Sequence, residues 1–165
     1  MPASAIPSPS DSVQRVIDAL AALGHAERPV MLDAAARTAQ QAADALGVQL
    51  GQIAKSIVFR HVDSDRAVLV VCAGDRRVDE HAVAALVGKL ARADADFVRA
   101  ATGFAIGGVS PVGHTQPPIA LIDDSLWRFA RIWAASGHPH AVFPLLPDDL
   151  PRWLGAAPSA VTVAP

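Results

Sequence analysis

Apolar residues recur at helical spacing near the start of the chain, where Val13, Val16, Ile17, Leu20 and Leu23 form one stripe that stops at Gly24. Asp11 stands at the capping position and Gln14 three places on, so the spacing predicts a core-facing helix opened by a capping box. A short β-compatible stretch, 29–32, follows. A second helix is expected over 35–46, with Ala35, Ala39, Ala42 and Leu46 on one side and Gly47 as its stop. Its alanine face implies close packing.

From 53 to 62 the pattern turns β-like, and 67–73 reads Ala-Val-Leu-Val-Val-Cys-Ala, a continuous apolar run suited to a strand covered on both faces. Asp63-Ser64-Asp65 supplies turn chemistry between them, so a hairpin at the centre of a sheet is expected. Asp79 opens a further helix with Val83, Leu86, Val87 and Leu90 in one stripe, and a shorter helix over 96–102 ends at Gly103. The window 103–118 then holds Gly103, Gly107, Gly108, Pro111, Gly113, Pro117 and Pro118, which excludes a regular helix and predicts a shaped loop. Strands at 119–122, 131–135 and 141–145, a helix near 148–154 and a terminal strand at 161–163 complete the pattern. Helices placed irregularly among many strands predict an α+β (mixed α/β) fold whose sheet curls towards a barrel, and argue against a doubly wound one.

Composition narrows the class. At 165 residues the chain has the size of one domain, expected over 11–165 behind a flexible Pro- and Ser-rich segment, 1–10. With 52% hydrophobic and 18% charged residues it has ample material for a core. A net charge of −2 lacks the footprint of a protein that wraps long nucleic acid, so any polynucleotide is expected to be gripped locally and DNA is not an expected partner. The single cysteine, Cys72, excludes an internal disulfide, and no Cys/His spacing resembles a zinc site. The chain start lacks signal-peptide character and no apolar run is long enough for a membrane span, so a cytoplasmic protein with no membrane partner is expected.

Two stretches could carry chemistry. In Ile53-Ala54-Lys55-Ser56-Ile57-Val58-Phe59, a strand that starts early places Lys55 in a row with Ile53, Ile57 and Phe59. A helical turn over 49–54 would instead put Lys55 at a junction near the mouth of the sheet. Either way the lysine is a fixed cation able to grip a phosphate or stabilise developing negative charge, or else a snorkelling side chain whose head reaches water. In the second stretch, Gly107 and Gly108 let main-chain N–H groups approach a ligand, while Pro111 stiffens the exit. The same residues would also make an ordinary turn, and neither a Walker nor a dinucleotide motif is present. His138 and His140 flank Pro139 but have no further ligand at a useful spacing, so His138 reads as a pocket or loop residue and no metal is expected. Cys72, among valines, reads as a buried inert thiol, and no Gly-x-Ser-x-Gly elbow supports a serine triad. Trp127, Trp133 and Trp153 read as core or rim packing, and Asp123-Asp124-Ser125 as a turn after a strand.

Taken together, the Lys55 stretch, Ala101-Thr102-Gly103-Phe104 leading into Gly107-Gly108-Val109-Ser110-Pro111-Val112-Gly113, Ile122-Asp123 and Asp148-Asp149-Leu150 resemble the YbaK/EbsC family, related to the editing domain inserted in prolyl-tRNA synthetase. The likeness runs in order from about Val13 to the end of the chain. It implies a curved, largely antiparallel sheet with flanking helices, and hydrolysis of the ester joining a wrong amino acid to tRNA.

By that resemblance Lys55 is the catalytic residue, and Gly107, Gly108, Val109, Ser110 and Pro111 hold the aminoacyl group and terminal adenosine, their amides facing the ester carbonyl as it becomes an oxyanion. Thr38, Phe59, Gly137 and His138 would border the pocket and set its volume. No metal or organic cofactor is implied, and groups of the substrate itself activate the attack. The implied substrate is a mischarged tRNA of the tRNA(Pro) type or a related one bearing a small amino acid, with a synthetase as a further partner. Two alternatives stay open: a non-catalytic module that binds an acceptor end or a synthetase, and a hydrolase of small amino-acid esters or amides.

Overall fold

The computed structural model describes residues 4–5 (backbone), 10–33 and 38–164. The expected helix positions 35–37, and most of the segment 1–10, lie outside the described residues. A two-residue strand β1 (Ser4–Ala5) precedes α1 (Asp11–Ala22), whose Val13, Val16 and Leu20 are buried as the stripe predicts. The cap differs from expectation: Ser10 is extended and its hydroxyl accepts from the Val13 amide at 3.4 Å. Asp11 therefore falls inside the first turn, where its charge meets the positive end of the helix dipole, and Gln14 donates to Asp18 instead of closing a box.

After β2 (Val30–Met31), α2 (Ala39–Leu46) opens with a full capping box between Thr38 and Gln41 and closes at Gly47, whose φ of 70° is open to glycine without a Cβ penalty. A 3-10 turn, Leu50–Gln52, leads into β3 (Ile53–His61), which pairs antiparallel with β4 (Ala67–Ala73). All seven residues of β4 are buried, which is what its unbroken apolar run requires. Each buried Val or Leu contributes about 1.5–3 kcal/mol, so this strand is the axis of the core.

Strand β5 (Arg77–Val78) leads to α3 (Glu80–Val87), capped by Asp79. The stripe expected there is shorter than its spacing suggests. Gly88 ends the helix at φ 106°, Leu86 is 58% exposed, and Leu90 belongs to β6 (Leu90–Arg92), which pairs with the end of β3. Val83 and Val87, one turn apart, are the side of the helix that packs on the sheet, and Leu86 lies off that line. Helix α4 (Ala95–Thr102) is capped by Asp94 and stopped by Gly103. Beyond the glycine-rich loop come β7 (Ile119–Asp123), a 3-10 turn Asp124–Arg128, β8 (Ile132–His138), β9 (Ala141–Leu145), α5 (Asp149–Leu154), β10 (Pro158–Ser159) and β11 (Thr162–Val163).

The main sheet runs β1-β2-β9-β8-β3-β4-β7-β10, with β6 also on β3; a second small sheet joins β11 to β5. Pairing is mostly antiparallel, with β3–β8, β4–β7 and β7–β10 parallel, so the fold is the mixed α/β class that the pattern predicts. Helices α1, α4 and α5 cover one face through Val16, Leu20, Val98 and Leu150, packed with Leu69, Val71 and Phe143. On the other face Val83 of α3 meets Val68, Val70 and Cys72, while Ala42 of α2 forms a smaller cluster with Leu32 and Val142. Asp123 lies fully buried, and its carboxylate accepts from the Ala73 and Ser125 amides and the Ser125 and Thr162 hydroxyls. The expected turn residue thus also ties β4 and β11 to the end of β7. No helix among the described residues is long and apolar enough to cross a membrane.

Candidate active site

Strand β3 touches β8 only at Ile53 and Ala54 and β6 only at Phe59, Arg60 and His61. Between them, residues 55–58 have no strand neighbour on that edge among the described residues. Strand β8 stops pairing with β3 after Ala134, and just beyond, between Ala135 and His138, its ladder with β9 is irregular and Gly137 takes a φ of 89°. A cavity of about 410 Å³ fills the gap. Six consecutive β3 residues, 53–58, line it, so the cavity meets the strand along its edge and not on one face. Such an edge offers main-chain N–H and C=O groups to whatever enters.

Lys55 is one of those six residues. The two sequence alternatives are both partly realised: a 3-10 turn ends at Gln52, and the strand then starts at Ile53. Alternation puts the Lys55 side chain on the face of Ile57 and Phe59, opposite Cys72 in register. Its ammonium donates to the Arg76 carbonyl at 3.0 Å, which offsets the cost of a cation among apolar neighbours and leaves two N–H donors for a ligand. Lys55 and Ile57 also border a second recess of about 730 Å³, which holds Phe59, Cys72, Arg77 and His81. The Cys72 thiol is pushed up to about 11, mainly by burial and further by the Asp123 charge, against the opposing pull of Lys55. It stays protonated at neutral pH, which matches the expected inert thiol.

The glycine-rich loop meets the cavity through Ile106, Gly107 and Val109. Gly107 has a φ of 90°, which a side chain rarely adopts. Gly108 is packed on the bulged end of β8: a Cβ there would lie 3.1 Å from the His138 main-chain N. Ser110 is fully buried behind the cavity wall; its hydroxyl accepts from the Val112 amide and its carbonyl from His114 Nε2 at 2.6 Å. Gly108, Ser110 and Pro111 therefore shape the loop from behind.

Of the pocket candidates, Thr38 lines the cavity, with its hydroxyl accepting from the Gln41 amide. Phe59 borders the second recess and not the cavity. Gly137 and His138 lie against Gly108, and their neighbour Pro139 reaches the cavity wall. His138 Nδ1 accepts from the His140 amide at 3.1 Å, so its free proton sits on Nε2. No group of three His, Cys, Asp or Glu side chains among the described residues could hold a metal ion. Sequence reasoning missed Trp133, Val142 and Ile106 as wall residues; the first two need the β3–β8–β9 register, whereas Ile106, 60% exposed beside two glycines, is an apolar residue in a loop and could have been noticed.

The walls are mostly Ala, Val and Ile, and among the described residues that line the cavity there is no His, Asp, Glu or Cys. The site thus joins a fixed cation, a glycine-bearing main-chain segment and an open strand edge around an apolar space, with the Thr38 and Ser56 hydroxyls among its described lining residues.

The aminoacyl-tRNA editing domain family model matches residues 33–153, a span that contains all of these features except the first helix. The chain belongs to that family. It is similar to YwhH of Bacillus subtilis (strain 168), an uncharacterised protein, with 38% identity over 114 residues, 68% of this chain and 72% of that one. A crystal structure described as that of a proposed trans-editing enzyme for prolyl tRNA synthetase superposes with a TM-score of 0.88 at 40% identity, covering 95% of this chain and 100% of that one. The hypothetical protein APE2540 gives a TM-score of 0.78 at 28% identity over 90% of this chain and 99% of its own.

Proposed function

We propose that this protein is a trans-acting aminoacyl-tRNA deacylase, with residues 11–165 as its single domain, hydrolysing the ester of a tRNA that carries a wrong, small amino acid. The observation that carries the reading is that Lys55, Gly107 and Val109 line one apolar cavity at the open edge of β3. The aminoacyl end enters the cavity, and main-chain amides of the loop stabilise the carbonyl oxygen as it gains charge. Lys55 serves as the fixed cation, holding a phosphate or the developing anion with its remaining donors. Among the described residues the walls carry no His, Asp or Glu, which supports the activation of the attacking group by the substrate itself that the family resemblance implies, with the protein supplying position.

A mostly apolar wall without a carboxylate among its described residues offers no partner for a cationic amino-acid side chain and admits a small uncharged one, which is how a second sieve removes what a synthetase pocket fails to reject. Thr38, Trp133 and Pro139 are among the residues that bound the volume. With a net charge of −2, the protein grips the acceptor end locally, and a tRNA(Pro)-type substrate with prolyl-tRNA synthetase as a neighbour fits the proposed trans-editing role of the structural relative. It works without a metal or organic cofactor, in the cytoplasm.

The test is release of amino acid from Cys-, Ala-, Ser- and Thr-charged tRNAs by the wild type and by Lys55→Ala. Turnover of at least one by the wild type, and its loss in the variant, is expected. No release from any, together with saturable tRNA or synthetase binding that Lys55→Ala leaves intact, would instead establish a non-catalytic binding module.

A further inference from the structure

Arg15 lies on α1, outside the cavity walls, yet it reaches both ends of the glycine-rich loop. Its Nε donates to the Gly113 carbonyl at 2.9 Å and its Nη2 to the Gly103 carbonyl at 2.8 Å. The guanidinium also lies 4.7 Å from the centre of the Phe104 ring, which is fully buried. Both glycines have a φ of 81°, so each end of the loop turns in a conformation that aims its carbonyl at one planar cation.

We propose that Arg15 is a positioning residue of the editing reaction, clamping the two ends of the loop so that its amides are already aimed when the ester arrives. The inference rests on the deacylase reading above. One rigid fork spans two carbonyls in different directions and stacks on a ring, which a lysine ammonium on a flexible stem does not reproduce. The clamp is reinforced from both sides. His114 Nε2 donates to the Ser110 carbonyl inside the loop, and the Thr102 hydroxyl donates to the Val98 carbonyl while accepting from the Phe104 amide. The start of α1 is itself wedged against β8, since a Cβ on Gly137 would lie 2.6 Å from the Ser12 carbonyl oxygen. Helix, loop and β8 bulge therefore form one unit behind the cavity wall. Preorganised donors count in catalysis only while they stay aimed, and a misplacement of about 1 Å can cost about a hundredfold in rate.

The experiment compares full-length wild type, Arg15→Lys and Arg15→Ala by steady-state deacylation, thermal melting and amide hydrogen exchange. The expected result is a fall in kcat of about tenfold or more in both variants with KM within about threefold, because ground-state binding is left largely intact. Exchange should quicken at residues 104–112 but not in β4, and millimolar methylguanidinium should restore part of the Arg15→Ala rate. Unchanged kcat, or unchanged loop exchange, overturns the proposal. Quickened exchange in β4 to the same degree as in the loop also overturns it, by making Arg15 a general stabiliser. If the wild type itself releases no amino acid, the deacylase reading fails, whereas the exchange comparison still decides whether Arg15 holds the loop.

Discussion

The Lys55 ammonium is hydrogen-bonded to the carbonyl oxygen of Arg76 at 3.0 Å, across 21 residues of chain. That bond fixes the cation of Lys55, a residue that borders both the cavity and the second recess, on the Cys72 face of β3, and joins the open strand β3 to the turn after β4. Removing the charge should then affect chemistry far more than folding. Lys55→Ala and Lys55→Met are each expected to lose about a hundredfold or more in deacylation rate, while the unfolding free energy from denaturant titration changes by about 1 kcal/mol, the worth of one hydrogen bond. Lys55→Met keeps the apolar stem, so near-wild-type turnover by that variant would remove the cation from the mechanism.

Gly107 tests the loop by its backbone alone. A Cβ there would meet only Pro139, at 3.8 Å, so Gly107→Ala introduces no clash but must hold a side chain at a φ of 90°. A cost of about 1–2 kcal/mol and a lower kcat are expected, measured by urea unfolding and deacylation. Unaltered stability together with unaltered kcat would show that the loop does not need this conformation.

His114 gives the loop a pH dependence. Burial lowers its pKa from the ordinary 6.5, the Arg15 charge pushes the same way, and the hydrogen bond to the Ser110 carbonyl opposes both. Between the lowered value and 6.5 the unfolded chain binds a proton that the folded chain refuses, so stability rises with pH in that window. This contribution is complete above the unfolded value and is lost as pH falls from there through the folded one. His114→Gln keeps a donor for Ser110 but does not titrate. Its unfolding free energy should therefore depend less on pH below 6.5 than that of the wild type. Equal slopes would contradict the assignment.

Cavity volume should govern which amino acid is removed. Ala39 lines the cavity from the first turn of α2, and Ala39→Leu retains good helix propensity while filling space. The ratio of kcat/KM for larger over smaller amino acids should fall by about tenfold with little change in melting temperature. An unchanged ratio would place the amino-acid side chain elsewhere.

Much of this arrangement is legible in the sequence, for local reasons. Ala67–Ala73 reads as a covered strand because both its faces are buried, and Lys55 stands out as one cation in an apolar row. The loop announces itself by glycines whose conformation other residues resist. Errors arise where neighbouring segments decide: Ser10 takes the capping role read for Asp11, and Leu90 leaves the α3 stripe because Gly88 ends the helix and the chain enters β6. The long-range features are not legible. The open edge of β3 depends on where β8 and β6 stop pairing with it, and Arg15 finds its partners 88 and 98 residues away. Phe59 shares the Lys55 face, as alternation predicts, but that face leads into the second recess, which no spacing rule announces.

The most direct test is a crystal structure with a non-hydrolysable 3′-amide mimic of an aminoacyl-adenosine. The predicted result is the mimic's carbonyl within hydrogen-bond distance of the Gly107 or Val109 main-chain N–H, its amino-acid side chain among Ala39, Trp133 and Val142, and a free Lys55 donor on the nucleotide or the carbonyl. A mimic bound in the recess of Arg77 and His81, with the apolar cavity left unfilled, would contradict the proposed site.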